Sequence, residues 1–260
     1  MAYNAESIQV RDFRTAARTT PGMYIGADGQ DAMFNCFLEI LNNACDEAIM
    51  GRGNEITVEV NDNDIKVSDK GAGVPHGKNK DTDEVLIEIY TSAHSSGKFD
   101  STNYKRVRGM HGIGSSTVCV CSEVFEVWTR RDGAEYFLSF KDGIPQAPIA
   151  RKVRATKETG TTVYFKPDKG IFHLNDSTPS FEKERIRNEL RLTSYFIPGV
   201  TFVYRADGKE EKFLSKNGLK DFAADNIIKP LHKQYIYGTK TFDGDIDIEV
   251  FAQWTAGREK

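Results

Sequence analysis

Phe34, Phe37, Leu38, Leu41, Cys45 and Ala48 recur at the spacing of one helical face, which predicts a helix over residues 31–50. Asp31 can cap its start and Gly51 lies just past its end. The runs "EITVEV" and "IKVSD" alternate apolar and polar positions around residues 61–64, the pattern of a β-hairpin. "DEVLIEIYTSA" returns to a helical period, and "EVFEVWTR", "AEYFLSF" and "TTVYFKP" read as strands. Turns at "RDGA" and "DGIP" separate the first three legs of a β meander. Residues 182–195 form an amphipathic, highly charged helix pattern, and "TFVYRA" is another strand. Together these elements predict an α+β two-layer sandwich, with helices on one side of a mostly antiparallel sheet.

The last stretch differs. "GLKDFAADNI" opens a new helix, and "DIDIEVFAQW" is a strong strand with no evident partner. The expected division is one domain over residues 1–220 and the start of a second, α/β domain over 221–260, cut short at Lys260.

Composition narrows the class without choosing a function. The 260 residues are 39% hydrophobic and 28% charged, as in an ordinary globular protein. A net charge of −3 gives no global basic field for nucleic acid. No apolar run approaches the roughly 20 residues that span a bilayer, and "MAYNAESIQVRDF" has no signal-peptide core. A cytoplasmic protein without membrane partners is expected. Cys36, Cys45, Cys119 and Cys121 form no C-x-x-C pair and lie among apolar or small residues, which predicts buried free thiols.

Three stretches carry candidate chemistry. "RGMHGIGSSTV" places Gly109, Gly112 and Gly114 directly before a helical pattern. Bare backbone at a helix mouth can hold an anion such as phosphate, and a tight surface turn would use the same residues. A Walker loop is excluded because Ser115 and Ser116, and no lysine, follow the last glycine. The glycines also run opposite to the dinucleotide spacing G-x-G-x-x-G.

On the first helix, Glu39, Asn43 and Asp46 are spaced four and three apart and stack on one face, with Glu47 beside them. A carboxylate and an amide one turn apart suit water activation and Mg²⁺ ligation; a solvated helix face has the same pattern. Asp69 ends a strand before "KGAGVP", where Gly71 and Gly73 allow close approach of a ligand. It can accept from the exocyclic amine of adenine, or serve as an ordinary turn residue. All three stretches are compatible with one site of ATP size.

"EILNNACDEA", "VSDKGAGVP", "GKFDSTNYKRVRGMHGIG" and "TGTTVYF" resemble, in order and spacing, the nucleotide-binding motifs of the GHKL ATPases. "PGMYIG", "SSGKFD" and "DGIPQAP" narrow the likeness to the ATPase region of bacterial DNA gyrase B and topoisomerase IV subunits, and "GMHGIGSS" is similar to large subunits of phage type II topoisomerases. The resemblance implies the GHKL (Bergerat) fold, ATP and Mg²⁺ as cofactors, and the activity of a type II topoisomerase ATPase. By it, Glu39 is the general base and Asn43 the magnesium ligand, while Asp46 belongs to the hydrogen-bond network of the site. Asp69 binds the adenine amine, Thr161 completes a water-linked contact, and Gly71 and Gly73 shape the pocket. Lys98, Tyr104, Gly109, His111, Gly112, Ile113 and Gly114 form the lid and phosphate loop, where Lys98 also fits a plain surface lysine and His111 a packing residue.

An N-terminal arm of about residues 1–16 is implied to cross to the other protomer of an ATP-dependent homodimer, with Tyr3 reaching the nucleotide bound there. The other partners implied are DNA and a DNA-cleaving topoisomerase subunit or domain. The following transducer domain would supply a γ-phosphate lysine, so this chain alone is expected to hydrolyse ATP slowly and not to cleave DNA.

The pattern departs from the family at two positions. Ala72 stands where an arginine often pairs with the acid at Glu47, and Phe137 replaces a second arginine on the strand bordering the pocket. A GHKL signalling kinase, or a nucleotide-sensing module without turnover, is the alternative. Glu39 argues against the sensor, and the lack of a phosphoacceptor-histidine helix argues against the kinase.

Overall fold

A computed structural model describes residues 11–93, 112–174, 181–227, 229–242 and 246–256. The predicted helix of the first motif is α3, Gly29–Ile49, preceded by the short helices α1, Phe13–Thr19, and α2, Gly22–Ile25. Its start corrects the expected cap: Asp28 is the N-cap, accepting from the Gly29 N–H at 2.8 Å. Asp31 lies one turn in and instead pairs with Arg185 at 2.6 Å. The apolar stripe is buried as its period requires, with Met33, Phe37 and Leu41 fully enclosed and Phe34, Leu38 and Ala48 at its margin.

The hairpin is β1, Glu55–Val60, paired antiparallel with β2, Ile65–Asp69, and inward positions alternate strictly along both strands. Helix α4 spans Val85–Thr91 and α5 spans Gly114–Val120. The strands β3 (Ser122–Arg131), β4 (Ala134–Lys141) and β5 (Ile144–Pro145) form the meander. Strand β6, Arg151–Ala155, is an exposed edge on β4, and β7, Gly160–Pro167, returns to the far side of β3 to pair with β2.

Helix α6, Lys183–Phe196, leads to β8 (Thr201–Ala206) and β9 (Lys209–Phe213). Strand β8 joins β1 in parallel, the one parallel pairing described in the sheet. The nine-stranded sheet runs β5-β4-β3-β7-β2-β1-β8-β9, with β6 beside β4. The helices bury its inner face around Phe125, Phe140, Phe165 and Phe202, and the four cysteines are buried free thiols.

The expected boundary at residue 221 falls inside α7, Leu219–Asn226. That helix is tied back to α6, where Tyr195 meets Phe222 edge-on at 5.4 Å and donates to Asp225. The strand without an evident partner is β11, Ile246–Ala252, which pairs antiparallel with β10, Ile236–Phe242, in a separate two-stranded sheet. At the other end, α1 occupies the last residues assigned to the arm. Its Ala17 is fully buried and its Arg18 bridges to Asp168 at 2.8 Å. Among the described residues, no helix is long and apolar enough to cross a membrane.

Candidate functional site

Strand β2 ends at Asp69 with its carboxylate turned inward, only 9% exposed. Its Oδ1 accepts two backbone N–H groups, from Gly71 at 2.7 Å and from Thr161 on β7 at 3.2 Å. Burial pushes its pKa up to about 6, against the pull of those two donors. Among the described residues nothing hydrogen-bonds Oδ2. Thr161 therefore meets Asp69 through its main chain, and its hydroxyl bonds no described residue.

The glycines around Asp69 are required by close approach. A Cβ on Gly71 would lie 2.8 Å from both the Asp69 carboxylate and the Glu47 side chain. Gly73 has φ +80° and would press a Cβ onto the Arg130 carbonyl. Gly160 has φ +131°, and its Cβ would run into the Asp69 carbonyl. The segment after Asp69 is clamped to β3, since Thr129 donates to the Val74 carbonyl at 2.8 Å and Arg131 to the Gly73 carbonyl at 3.0 Å. His76 stacks on Tyr136, with ring centres 3.6 Å apart.

The two departures resolve differently. Without an arginine at 72, Glu47 accepts from the backbone N–H of Ala72 itself at 2.9 Å and pairs with Arg52 at 3.4 Å. Phe137 faces away from Tyr136, its strand neighbour, and packs on Trp128 at 5.0 Å under the Arg151 guanidinium.

The other half of the site lies between α3 and α5. Glu39 and Asn43 are half-buried on α3, and Asp46, one turn further on, is fully buried. Gly114, the first residue of α5, sits against Glu39; a Cβ there would run into its carboxylate. The Asn43 amide Nδ2 donates to the Glu39 carbonyl at 3.0 Å and to the Ser115 hydroxyl at 2.7 Å. Gly112 has φ +63°, and the Ile113 carbonyl accepts from the Thr117 N–H at 2.9 Å and from the hydroxyls of Ser116 and Thr117.

Of the sequence-predicted residues, Glu39, Asn43, Gly112, Ile113 and Gly114 gather at this end, and Asp69, Gly71, Gly73 and Thr161 at the other, with Asp46 buried on α3. Tyr3, Lys98, Tyr104, Gly109 and His111 lie outside the described residues. No motif signalled Arg131 or the His76–Tyr136 contact; Ser115 stood within "GMHGIGSS" and Gly160 within "TGTTVYF", both without a role. A surface hollow of about 470 Å³, lined by Phe34, Glu182, Arg185, Asn188, Glu189 and Leu192, shares no residue with the site.

Residues 28–171 match the family described as histidine kinase-, DNA gyrase B-, and HSP90-like ATPase. The chain is 37% identical to the B subunit of DNA topoisomerase 4 from Enterococcus faecalis, over 98% of its own length and 38% of that protein. It is 35% identical to the corresponding Staphylococcus aureus protein over 97% of its length, again 38% of the relative. It thus spans about two fifths of these curated relatives. Among solved structures it is similar to the 43K ATPase domain of Thermus thermophilus gyrase B in complex with an aminocoumarin. That likeness has a TM-score of 0.76 and 31% identity, over 92% of this chain and 61% of the other. With a family match across more than half its length and the motif residues gathered as described, the chain belongs to the histidine kinase-, DNA gyrase B- and HSP90-like ATPases.

Proposed function

We propose that this chain is the ATP-binding and hydrolysing module of a type II DNA topoisomerase. The observation that carries the reading is the packing of Gly114 against Glu39. It brings a bare helix start, a carboxylate and the Asn43 amide to one place, with the Asp69 acceptor on the neighbouring sheet. The near full-length similarity to topoisomerase 4 proteins selects this class over other members of the family. The described histidines His76, His173 and His232 all sit outside helices, which does not favour a kinase.

In this reading Asp69 accepts the adenine amine, and Gly71 and Gly73 leave room for the base to approach it. Asn43 would supply an amide oxygen, a hard donor of the kind Mg²⁺ takes, so this residue fits that ion. When bound, magnesium would neutralise charge on the triphosphate. Glu39 accepts the proton of the attacking water, a role worth about 10²–10⁴ in rate. Backbone N–H groups at Gly112–Gly114 face the phosphates.

In the whole enzyme the module would close a homodimer gate around DNA and act with a DNA-cleaving subunit or domain. Differential contacts of arm and lid with nucleotide would drive closure. If Tyr3 reaches the partner's nucleotide, Tyr3→Ala should weaken dimerisation with a non-hydrolysable ATP analogue by sedimentation; unchanged dimerisation refutes that arm. The module itself is tested with two variants. Glu39→Ala should keep nucleotide affinity and lose turnover, and Asp69→Asn should lose affinity. Turnover in Glu39→Ala equal to the parent's removes the general-base role.

A further inference from the structure

Asn43 lies one turn beyond Glu39 on α3, and its amide is held by two acceptors. The first, the Glu39 carbonyl, in an α-helix also receives the backbone N–H four residues on, which is Asn43's own. Main chain and side chain of Asn43 therefore share one oxygen, with a lone pair for each. The second acceptor, Ser115 Oγ, lies closer, at 2.7 Å against 3.0 Å. A flipped amide would set its own oxygen against the Glu39 carbonyl, acceptor facing acceptor. The pair of bonds thus fixes Nδ2 toward α5 and turns Oδ1 away from it.

Ser115 is placed for this by the chain around it. It is half-buried in the first turn of α5, next to Gly114, whose missing Cβ admits Glu39. The hydroxyls of Ser116 and Thr117 return to the Ile113 carbonyl at the start of their own helix. Of these three hydroxyls, Ser115's is the one that bonds to α3.

We infer that Ser115 is a positioning residue, which holds the Asn43 amide so that its oxygen is presented to a divalent cation carried by a bound nucleoside triphosphate. This rests on the ATPase reading. Loss of the hydroxyl removes the shorter of these two bonds and weakens the hold on which end of the amide faces the cation. The effect is therefore confined to nucleotide that carries the cation.

The test is calorimetric binding of a non-hydrolysable ATP analogue to the 260-residue chain, in Mg²⁺ and in EDTA. Ser115→Ala should lose about twofold to twelvefold in affinity with Mg²⁺, the size of one neutral hydrogen bond. In EDTA it should stay within about twofold of the parent, as for a substitution without structural cost. Ser115→Thr, which keeps the hydroxyl, should match the parent in both. If Ser115→Ala does not fold by circular dichroism, Ser115→Cys, a near-isostere with a weaker acceptor, carries the same expectation at smaller size. Equal affinity of variant and parent in Mg²⁺, or an equal loss in EDTA, overturns the role of Ser115 and leaves the nucleotide reading intact. A parent that binds the analogue no better in Mg²⁺ than in EDTA overturns both.

Discussion

At Asp69 the acceptor is gripped by backbone, with N–H groups of Gly71 and Thr161 on one oxygen and glycines excluding every side chain that could intrude. At Glu39 the carboxylate is bounded by the start of a short helix, and the neighbouring amide is oriented by a serine hydroxyl. Backbone donors cannot turn as an amide or a hydroxyl can, since those have rotamers to choose from; Thr161 is held in the paired strand β7, and Gly71 lies just past the end of β2. In the proposed reading the base would be recognised where the sheet holds Asp69, and the triphosphate by backbone N–H groups at Gly112–Gly114 together with the Glu39 and Asn43 side chains. Substitutions at the two ends should therefore fail in different ways.

The largest effect should come from Glu39→Ala, a loss of at least about 100-fold in turnover with little change in nucleotide affinity. Steady-state hydrolysis measured beside calorimetry reads both. Gly114→Ala is the sharper test of the triphosphate end. Its Cβ must displace the Glu39 carboxylate, while alanine favours the helix by about 1 kcal/mol. Turnover should fall with the melting temperature preserved, and a parental rate would mean that Gly114 does not bear on Glu39.

At the base end, Asp69→Asn should weaken nucleotide binding by roughly tenfold to 150-fold, the loss of a charged hydrogen bond. The smallest effect is in pH. Burial raises the Asp69 pKa from 3.8 to about 6, so the folded chain holds a proton there that the unfolded chain releases at lower pH. In that window Asp69 favours the folded state less as pH rises, because its charged form is the desolvated one. Nucleotide binding runs the other way. The amine wants a carboxylate, so affinity should decline as pH falls through about 6. The ratio of parent to Asp69→Asn isolates this titration from that of the nucleotide, and a flat ratio contradicts it.

Much of this arrangement was legible in the sequence because periodicity reports burial. The apolar face of α3 and the alternation of β1 and β2 are read directly from their side chains. Features made by backbone left less trace. Asp28 and Asp31 are equally good caps on paper, and chain geometry decided for Asp28. Glu47 found its partner in the Ala72 N–H, which no residue type announces. The parallel pairing of β1 with β8 joins segments far apart in sequence, and β10, "IYGTKTF", lacks the alternation that would have marked it as the partner of β11. Ser115 stood in "GMHGIGSS" and in the place of a Walker lysine, but nothing in either pattern pointed it at Asn43.

The central claim is that α3, the end of β2 and the start of α5 enclose one magnesium nucleotide. It is tested most directly by the crystal structure of this chain with a non-hydrolysable ATP analogue and Mg²⁺. The account predicts the adenine amine on Asp69 Oδ2, the phosphates over Gly112–Gly114, and the ion on the Asn43 oxygen beside Glu39. Nucleotide density at any other surface, or a triphosphate directed away from α5, contradicts it.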